Sequence, residues 1–433
     1  MHRNIFVIAL DDFNRETMER LPEYRRYQFH SLLPKEDVLK ADSYDYEELL
    51  AEANAELRAF DGTVDGIVTW WDFPSSGLAP VLSEHWDNYG PSLRSVCVLE
   101  HKYWSRIAQR AVAGEHVPAF AAFDPFDDDA LEQITNRGVY YPFWLKPVKS
   151  VGSYLGFRID GPEDWEPAIT TMREEITQFG DPFDQALDRV EMPPEVEAIG
   201  GVACLAEGII AGWQCTLEGF VSHGEPHVYG TVDSLRMPGV STFRCYQYPS
   251  RLPTPVQRRM AQIAKDVVRQ AGLDQCCFNA EFFYDEEQGQ IWILEINTRL
   301  SQSHCDLFAK VDGVSSQRAM LSLSQGRMPR MLHRQGDFNV AGKYFLRTTV
   351  DDGIVRSVPS EDDIAAVIER FPGTRIDLDP SAGDRLSDME VQETYSFELG
   401  RVFIGADDHE QLEARFEAIE AMLPFDIEPV EVV

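Results

Sequence analysis

Two apolar segments near residue 290 carry carboxylate and amide side chains where an ordinary β-hairpin has none. Residues 278–284 and 291–299 are rich in aromatic and β-branched residues, and a polar stretch with Gly289 separates them. This pattern predicts two antiparallel strands joined by a turn. If residues 286–290 form a five-residue loop, Glu281 faces Glu295, and the two-residue period of a strand puts Asn297 on the same side.

Two carboxylates that face each other across a sheet destabilise it. A hard divalent cation removes this repulsion, and Mg²⁺ is usually held by one or two carboxylates together with nucleotide phosphates. The hairpin therefore predicts a metal–nucleotide site.

The composition limits the remaining possibilities. A chain of 433 residues exceeds what one core usually supports, so two or three domains are expected. The apolar fraction of 44% indicates a folded globular protein. The formal net charge of −34 argues against nucleic acid or an anionic membrane as a partner, because either would require a basic surface.

The cysteines and the apolar runs predict a cytoplasmic protein. The seven cysteines are odd in number, scattered and without C-x₂-C spacing, which is typical of free thiols in a reducing compartment. The N-terminal apolar run is too short for a signal peptide, and no apolar run reaches 18 residues, so no membrane span is expected.

The pattern of apolar segments predicts three parts. Residues 1–95 alternate strands with helices, as in a βαβ unit with a small parallel sheet, and residues 44–60 are predicted to form one of the helices. Residues 96–330 mix hairpins with helices, including a predicted helix over 162–190. Residues 331–433 form a separable C-terminal unit.

Two further segments have a composition that suits nucleotide binding. An apolar strand ends in Lys146, and a loop with Gly152 and Gly156 follows it. Such a loop brings backbone N–H groups close to phosphate, with a lysine as counter-charge, although a flexible hairpin turn has the same pattern. Residues 203–212 fit either a backbone edge for adenine or a plain strand and turn.

In this order and spacing the segments resemble the ATP-grasp superfamily over residues 96–330. The resemblance implies a combined α/β and α+β architecture. An N-terminal parallel βαβ domain would occupy residues 1–95. The ATP-grasp fold, with two α+β subdomains gripping ATP, would occupy 96–330, and a small C-terminal α+β domain would occupy 331–433.

The resemblance also implies roles for individual residues. The implied ATP contacts are Lys102, Lys146, Lys149, Gly152, Ser153, Glu207, Ile210 and Gln214. The implied ligands of two Mg²⁺ or Mn²⁺ ions are Glu281, Glu295 and Asn297. Gln214 is a departure, because D-alanine:D-alanine ligases have a ribose-binding carboxylate in this region.

The segment after the hairpin resembles the biotin carboxylase branch, whose strand ends in a similar Asn-Thr-Arg-Leu sequence. Here Ser303 stands where that branch has the glutamate that acts as base on bicarbonate. The chain also has no Met-Lys-Met sequence for biotin attachment. Carboxylation is therefore disfavoured.

The remaining common chemistry of the family is ATP-driven ligation of a carboxylate to an amine through an acyl phosphate. Arg299 is the natural donor to the acyl phosphate, because its planar fork suits phosphate and carboxylate. The alternative for Arg299 is a salt bridge to Glu281 or Glu295. Arg236 and His304 are the further catalytic candidates, although His304 also suits a structural role.

Asp233, Ser301 and Ser303 are the candidates for substrate binding, and an exposed surface pair is the alternative for Asp233 and Arg236. The expected partners are a small-molecule carboxylate and an amine, with no nucleic acid and no membrane, and a homodimer is considered. The competing hypothesis from another class is a nucleotide-binding regulatory protein on the same fold.

Overall fold

The computed structural model describes residues 2–39, 44–152, 154–237, 242–350, 352–389 and 396–430. Its strands, in chain order, are β1 (Arg3–Ile8), β2 (Tyr27–Leu32), β3 (Gly66–Val68), β4 (Phe120–Phe123), β5 (Phe143–Pro147), β6 (Phe157–Ile159), β7 (Cys204–Gly208), β8 (Trp213–Ser222), β9 (Glu225–Arg236), β10 (Phe243–Tyr248), β11 (Cys276–Asp285), β12 (Gln290–Asn297), β13 (Val340–Thr348), β14 (Gly353–Ser357), β15 (Arg375–Leu378), β16 (Phe397–Ala406) and β17 (Asp426–Pro429).

The α-helices of the described residues are α1 (Asp12–Glu19), α2 (Lys35–Leu39), α3 (Tyr46–Ala59), α4 (Ser75–His85), α5 (Leu93–Glu100), α6 (Lys102–Ala113), α7 (Ala130–Asn136), α8 (Pro162–Glu175), α9 (Thr177–Leu187), α10 (Pro194–Glu197), α11 (Thr254–Gln270), α12 (Cys305–Asp312), α13 (Gln317–Leu323), α14 (Glu361–Arg370) and α15 (His409–Glu420). Short 3₁₀ turns cover Tyr24–Arg26, Gly114–His116, Gln302–His304 and Leu386–Asp388.

Backbone contacts divide the chain into two compact units. The first contains Met1–Tyr229, Leu252–Gln302 and Gln317–Arg330, and the second contains Gly230–Arg251, Ser303–Ser316 and Met331–Val433. The chain passes from the first unit to the second within β9. The predicted division into three domains, with limits at residues 95 and 330, differs from this division into two units and stays a prediction.

The first unit begins with a parallel three-stranded sheet in the order β2-β1-β3, as the alternation of strands and helices predicts. β1 pairs with β2 over its full length, and its residues from Ile5 onward are buried. Helix α3 is shorter by two residues at its start than the predicted 44–60, because Asp45 caps it by accepting a hydrogen bond from the amide of Glu48.

An antiparallel sheet in the order β4-β7-β5-β6 forms the next layer of the first unit. Its core includes Phe123, Phe143, Leu145 and residues of α8. The helical prediction for 162–190 holds for most of its length as two helices, since α8 ends at Glu175 and α9 runs from Thr177 to Leu187.

The first unit is completed by antiparallel strands in the order β12-β11-β8. Helix α11 is amphipathic and buries Met260, Ile263 and Val267 in the same apolar core that contains Leu217 and Phe282 of this sheet. The β11–β12 hairpin is therefore backed by a rigid core on one side. Its polar side chains point to the other side, where the candidate site lies.

The second unit has an antiparallel sheet in the order β9-β10-β13-β16-β15, and β14 pairs with β17. Alternate residues of β13 and β16, such as Tyr344, Leu346 and Val402, pack in a core with Leu412 and Phe416 of α15.

The described part of the chain contains no helix that is long and apolar enough to cross a membrane. All seven cysteines are buried and free, which agrees with the prediction of free thiols.

Candidate functional site

Glu281 and Glu295 are direct partners in the β11–β12 hairpin, as the sequence predicts. The loop length and the strand pairing that produce this register differ from the prediction. Asp285 pairs with Gln290, so the loop is one residue shorter than the predicted five, and a bulge at Leu294 restores the register before Glu295. Asn297 pairs with Asn279 two residues along, and its Nδ2 lies 3.4 Å from Asn279 Oδ1.

The two facing glutamates are half-buried and lie in an environment that disfavours two negative charges. Burial raises the pKa of Glu281, and the neighbouring Glu295 raises it further, while Arg299 and a hydrogen bond from Gln214 oppose the shift. Gln214 Nε2 lies 3.3 Å from Glu281 Oε2. Gln214, an expected nucleotide contact, thus touches a predicted metal ligand in the structure.

The residues present fit a hard divalent cation. Glu281, Glu295 and Asn297 offer oxygen donors on one face, and a cation between them would relieve the repulsion between the carboxylates. Among the described residues no group of three or more His, Cys, Asp or Glu side chains is arranged to hold a metal. A site with two carboxylates suits Mg²⁺, which usually takes its other ligands from water and substrate phosphates.

Buried Asn279 and Glu218 support the hairpin from β11 and β8. Asn279 Nδ2 donates to Glu218 Oε1 over 2.8 Å, and the amide of Ser301 donates to the same oxygen over 3.3 Å. Asn279 precedes Glu281 by two residues and shares its face. These contacts fix the side chain of Asn279 beside the predicted ligand Asn297.

Lys146 lies at the end of β5, as expected, and contacts Glu207 of the adjacent strand β7. Its Nζ is 2.5 Å from Glu207 Oε2, and both side chains are buried. Arg106 of α6 binds the other oxygen of Glu207. Although burial acts to raise it, Arg106 and Lys146 hold the pKa of Glu207 at about 2.

Arg106 also connects this pair to the hairpin. Its two terminal nitrogens donate to the carbonyls of Ile293 and Leu294 over 2.8 and 3.0 Å. Leu294 is the bulged residue. Arg106 therefore donates to the carbonyls that the bulge leaves outside the regular hydrogen-bond pattern between the two strands. One buried guanidinium thus holds the predicted adenine strand and the predicted metal strand at fixed positions.

Lys102 begins α6 and reaches the predicted phosphate loop. Its Nζ donates to the carbonyl of Ser150 over 3.0 Å, and its backbone amide donates to Val148 over 2.8 Å. Burial lowers the pKa of Lys102 to about 8, and Lys146 and Lys149 act in the same direction while Glu295 opposes them. Lys102, Lys146 and Lys149 are called the lysine cluster below. Their positive charges attract an anionic group.

The loop itself is described in part. Gly152 is exposed and has a φ of 58°, which favours glycine, and Ser153 lies outside the described residues. Lys149 is buried, with its Nζ 2.5 Å from Glu100 Oε2. Glu100 also accepts hydrogen bonds from Ser76 and Thr298. Lys149 was expected on the loop and in contact with phosphate, whereas the structure holds it in the protein interior.

The predicted hinge for adenine follows β7, where Ile210 is half-exposed. Gly212 ends this segment with a φ of 129°, and a Cβ there would lie 2.3 Å from the carbonyl oxygen of Tyr284. Glycine is required at this position because the hinge passes so close to the hairpin. The adenine role of Glu207 and Ile210 stays a prediction.

Arg299 is paired with Asp72, a residue that sequence reasoning missed. Arg299 Nε and Nη2 donate to the two carboxylate oxygens of Asp72 over 2.7 and 2.9 Å. The partners considered from the sequence were Glu281 and Glu295, and the structure shows Asp72 in their place. Against the effect of burial, Arg299 and the positive charges of Lys149 and Lys102 lower the pKa of Asp72.

The remaining predicted residues belong to different units. Ser301 lies in the first unit, and Asp233, Arg236, Ser303 and His304 lie in the second. Asp233 is fully buried and accepts hydrogen bonds from the hydroxyl of Ser250 and the amide of Arg251, so the alternative of an exposed Asp233–Arg236 pair is wrong. Arg236 is exposed and lies over the ring of Phe243 at 4.4 Å.

Ser303 and His304 have defined neighbours in the second unit. Lys343 Nζ donates to Ser303 Oγ over 2.8 Å, and burial lowers the pKa of Lys343 to about 7. His304 packs edge-on against Tyr246, with ring centroids 5.1 Å apart. A serine hydroxyl that accepts a hydrogen bond from a lysine cannot act as a general base in place of a carboxylate.

The structure adds five residues that the sequence interpretation missed: Asp72, Glu100, Arg106, Glu218 and Asn279. Two of them carried a usable signal. Asp72 follows a strand of a parallel sheet, where functional side chains collect. Asn279 lies two residues before Glu281, on the same face of the strand. The others are identified by long-range contacts alone.

Comparison with known proteins supports the fold. Residues 139–306 match the family model of the ATP-grasp domain. No curated protein matches the chain in sequence. Among solved structures, the L-amino acid ligase from Bacillus licheniformis is similar, with a TM-score of 0.68 and 15% identity over 99% of each chain.

Two other similar structures have different activities. Phosphoribosylglycinamide synthetase from Anaerococcus prevotii matches with a TM-score of 0.64 and 12% identity, over 99% of this chain and 100% of that one. Biotin carboxylase from Campylobacter jejuni, solved as a β,γ-ATP complex, matches with a TM-score of 0.65 and 14% identity, over 98% and 92% of the two chains. At these identities the similarity shows the fold.

Proposed function

We propose that this chain, whose residues 139–306 match the family model of the ATP-grasp domain, is an ATP-dependent ligase that joins a carboxylate to an amine and releases ADP and phosphate. The observation that carries the proposal is the β11–β12 hairpin. Glu281 faces Glu295, Asn297 follows on the same face, and Arg299 follows the hairpin with its guanidinium oriented by Asp72.

The nucleotide would bind through the lysine cluster of the first unit. Lys102 and Lys146 are the candidates for the phosphates, and Gly152 and Ser153 belong to the loop that would cover them. Glu207 and Ile210 would border the adenine, with Gln214 close to the metal ligands. The predicted contact of Lys149 with phosphate is considered separately below.

Glu281, Glu295 and Asn297 would hold Mg²⁺ or Mn²⁺, for which two ions are expected from the resemblance. When bound, the metal supplies charge neutralisation for the phosphates of the nucleotide. The fit of facing carboxylates and an amide supports this assignment.

The chemistry would proceed in two steps. A carboxylate oxygen of the acid attacks the γ-phosphorus, which forms an acyl phosphate and releases ADP. The amine then attacks the carbonyl carbon, and phosphate leaves. Arg299 would orient and stabilise the acyl phosphate by two parallel N–H···O contacts. Arg236 and His304 stay the further catalytic candidates, and Asp233, Ser301 and Ser303 the candidates for substrate binding.

Two alternatives remain for experiment. A bicarbonate-using carboxylase is disfavoured because Ser303 accepts a hydrogen bond from Lys343 where the carboxylase branch has a base. A nucleotide-binding regulatory protein would keep the lysine cluster but would show no turnover. The similarity to an L-amino acid ligase makes amino acids the first acids to test.

The direct test is a screen of ADP formation with amino acids and small carboxylates, singly and in pairs. We expect one acid–amine pair to stimulate ADP formation, and Glu295→Gln to abolish the stimulation. Stimulation by bicarbonate alone would indicate a carboxylase. ATP binding without stimulation by any acid or amine would support the regulatory alternative.

A further inference from the structure

A buried ion pair beside the predicted phosphate loop has no part in the proposed chemistry. Lys149 is 4% exposed and Glu100 is 8% exposed, and Lys149 Nζ lies 2.5 Å from Glu100 Oε2. Glu100 ends α5, and Lys149 follows β5 by two residues. The ammonium group of Lys149 also lies 5.3 Å from the ring centroids of Phe73 and Phe183. The lysine is thus enclosed by protein groups.

Two buried hydroxyl groups complete the surroundings of Glu100. Ser76 Oγ donates to Oε2 over 2.9 Å, and Thr298 Oγ1 donates to Oε1 over 2.6 Å. Glu100 therefore accepts three hydrogen bonds from three separate segments of the first unit. Such a fully satisfied buried network is rigid, because each member loses a partner if any other moves.

The segments that Glu100 joins all carry residues of the candidate site. Thr298 lies between Asn297, a predicted metal ligand, and Arg299. Ser76 lies four residues after Asp72, the partner of Arg299. Lys102, two residues after Glu100, is anchored separately, because its backbone amide donates to the carbonyl of Val148. Loss of the Glu100 contacts would therefore displace the metal strand and the arginine.

Transfer of Lys149 to a phosphate would leave Glu100 as a buried carboxylate with hydroxyl donors alone. Breaking a buried ion pair by removing one partner is strongly unfavourable. Lys146 also pairs with a buried carboxylate, Glu207, but Arg106 would still neutralise Glu207 if Lys146 contacted phosphate. Lys102 donates to the carbonyl of Ser150, so its contact with phosphate would leave no carboxylate unpaired.

We propose that Glu100 and Lys149, with Ser76 and Thr298, form a positioning cluster that holds Asn297 and Arg299 in place, and that Lys149 does not bind the nucleotide. The effect of this positioning cluster on turnover rests on the proposed ligase function. Its effects on metal binding and on nucleotide binding do not depend on whether the protein is a ligase. Residues that support metal ligands from behind typically change metal affinity by about 10–100-fold when replaced.

The test measures two binding constants in variants of the full chain. Calorimetry with ATP in EDTA gives nucleotide affinity without metal, and electron paramagnetic resonance gives Mn²⁺ affinity at saturating ADP. We expect Lys149→Met and Glu100→Gln to leave metal-free ATP affinity within about twofold of wild type and to weaken Mn²⁺ binding by about 10–100-fold. Lys146→Met should instead weaken metal-free ATP binding.

Two controls keep the result interpretable. Lys310→Met removes a lysine from the buried pair with Asp306 in the second unit and should change neither constant. If Lys149→Met fails to fold, as judged by circular dichroism, the double variant Glu100→Gln/Lys149→Met carries the test, because it leaves no buried charge unpaired. Lys149→Arg should recover part of the Mn²⁺ affinity, since it restores the cation beside Glu100.

Three results would overturn the proposal. Lys149→Met could weaken metal-free ATP binding as much as Lys146→Met, or Glu100→Gln could tighten it by releasing the lysine. Either would make Lys149 a phosphate ligand. Unchanged Mn²⁺ affinity in both single variants would reduce the cluster to a structural ion pair. If no acid–amine pair supports ADP formation, the ligase proposal fails, and the binding constants still decide the role of Lys149.

Discussion

At the scale of single residues, the geometry of Arg299 explains how it could meet a substrate while it is already paired. Asp72 accepts from Nε and Nη2, while Nη1 has a long contact of 3.4 Å with the carbonyl of Leu300. A guanidinium has five N–H donors in a fixed fork, so the outer edge stays available for phosphate or carboxylate. Asp72 thus fixes the direction of the fork without occupying all of it.

Asp72→Asn should therefore lower turnover while ATP affinity stays near wild type. An orientation error of about 1 Å can cost on the order of 10²-fold in rate, and the amide loses the bidentate acceptor. Steady-state kinetics with varied ATP and varied acid checks this. Glu47→Gln, which breaks the exposed pair with Arg189 in the same unit, serves as the control and should have no effect. Normal turnover in Asp72→Asn would make the Asp72–Arg299 pair a structural feature.

Lys102 gives a prediction for pH. Its pKa is lowered to about 8, and a bound phosphate would favour the charged form. Binding must then be accompanied by proton uptake at high pH. We expect metal-free ATP affinity to be constant below about pH 8 and to fall by up to about tenfold per pH unit above it. Lys102→Met should abolish this dependence, and a persisting slope in that variant would assign the titration to another group.

Residue types and spacing carry part of this information. The facing of the hairpin glutamates and the place of Lys146 at the end of a strand were predictable because each lies in a short motif with a physical reason for its residue type. Asp72 and Glu100 were not, because their partners lie far along the chain. The Asp72–Arg299 contact joins residues 227 positions apart. Only the packing of the whole unit determines such a pair.

At the scale of elements, the β11–β12 hairpin shows how a correct register can arise from an incorrect loop. The period of two in side-chain direction made the facing of Glu281 and Glu295 predictable. The shorter loop and the bulge at Leu294 offset each other, and the carbonyl of the bulged residue accepts a hydrogen bond from Arg106, which lies on α6. A sequence pattern within the hairpin contains no signal for that contact.

The hairpin should be more stable without metal when one glutamate is neutralised. Glu295→Gln should raise the free energy of unfolding of the metal-free protein by roughly 0.2–1 kcal/mol, the usual size of a cross-strand pair effect. It should also remove the stabilisation that Mg²⁺ with nucleotide provides. Urea denaturation with and without Mg²⁺ and ADP measures both effects. Glu287→Gln in the exposed turn is the matched control, and an equal Mg²⁺ response in both variants would contradict the metal assignment.

At the scale of the whole molecule, the fold class follows from the sequence more completely than the domain limits do. The parallel sheet β2-β1-β3 and the hairpins within residues 139–306, which match the family model of the ATP-grasp domain, were predictable because their periodicity is local. The segments 230–251 and 303–316 join the C-terminal part of the chain through contacts. No composition change marks those limits, so they were not predictable from the sequence.

The central claim is that the carboxylate receives the γ-phosphoryl group of ATP. The most direct measurement uses the acid of the responding pair labelled with ¹⁸O in its carboxylate, followed by mass spectrometry of the products. The account predicts one ¹⁸O atom in the inorganic phosphate, since the bridging oxygen of the acyl phosphate leaves with it, and unlabelled ADP. Label in AMP, or phosphate without label, would contradict it.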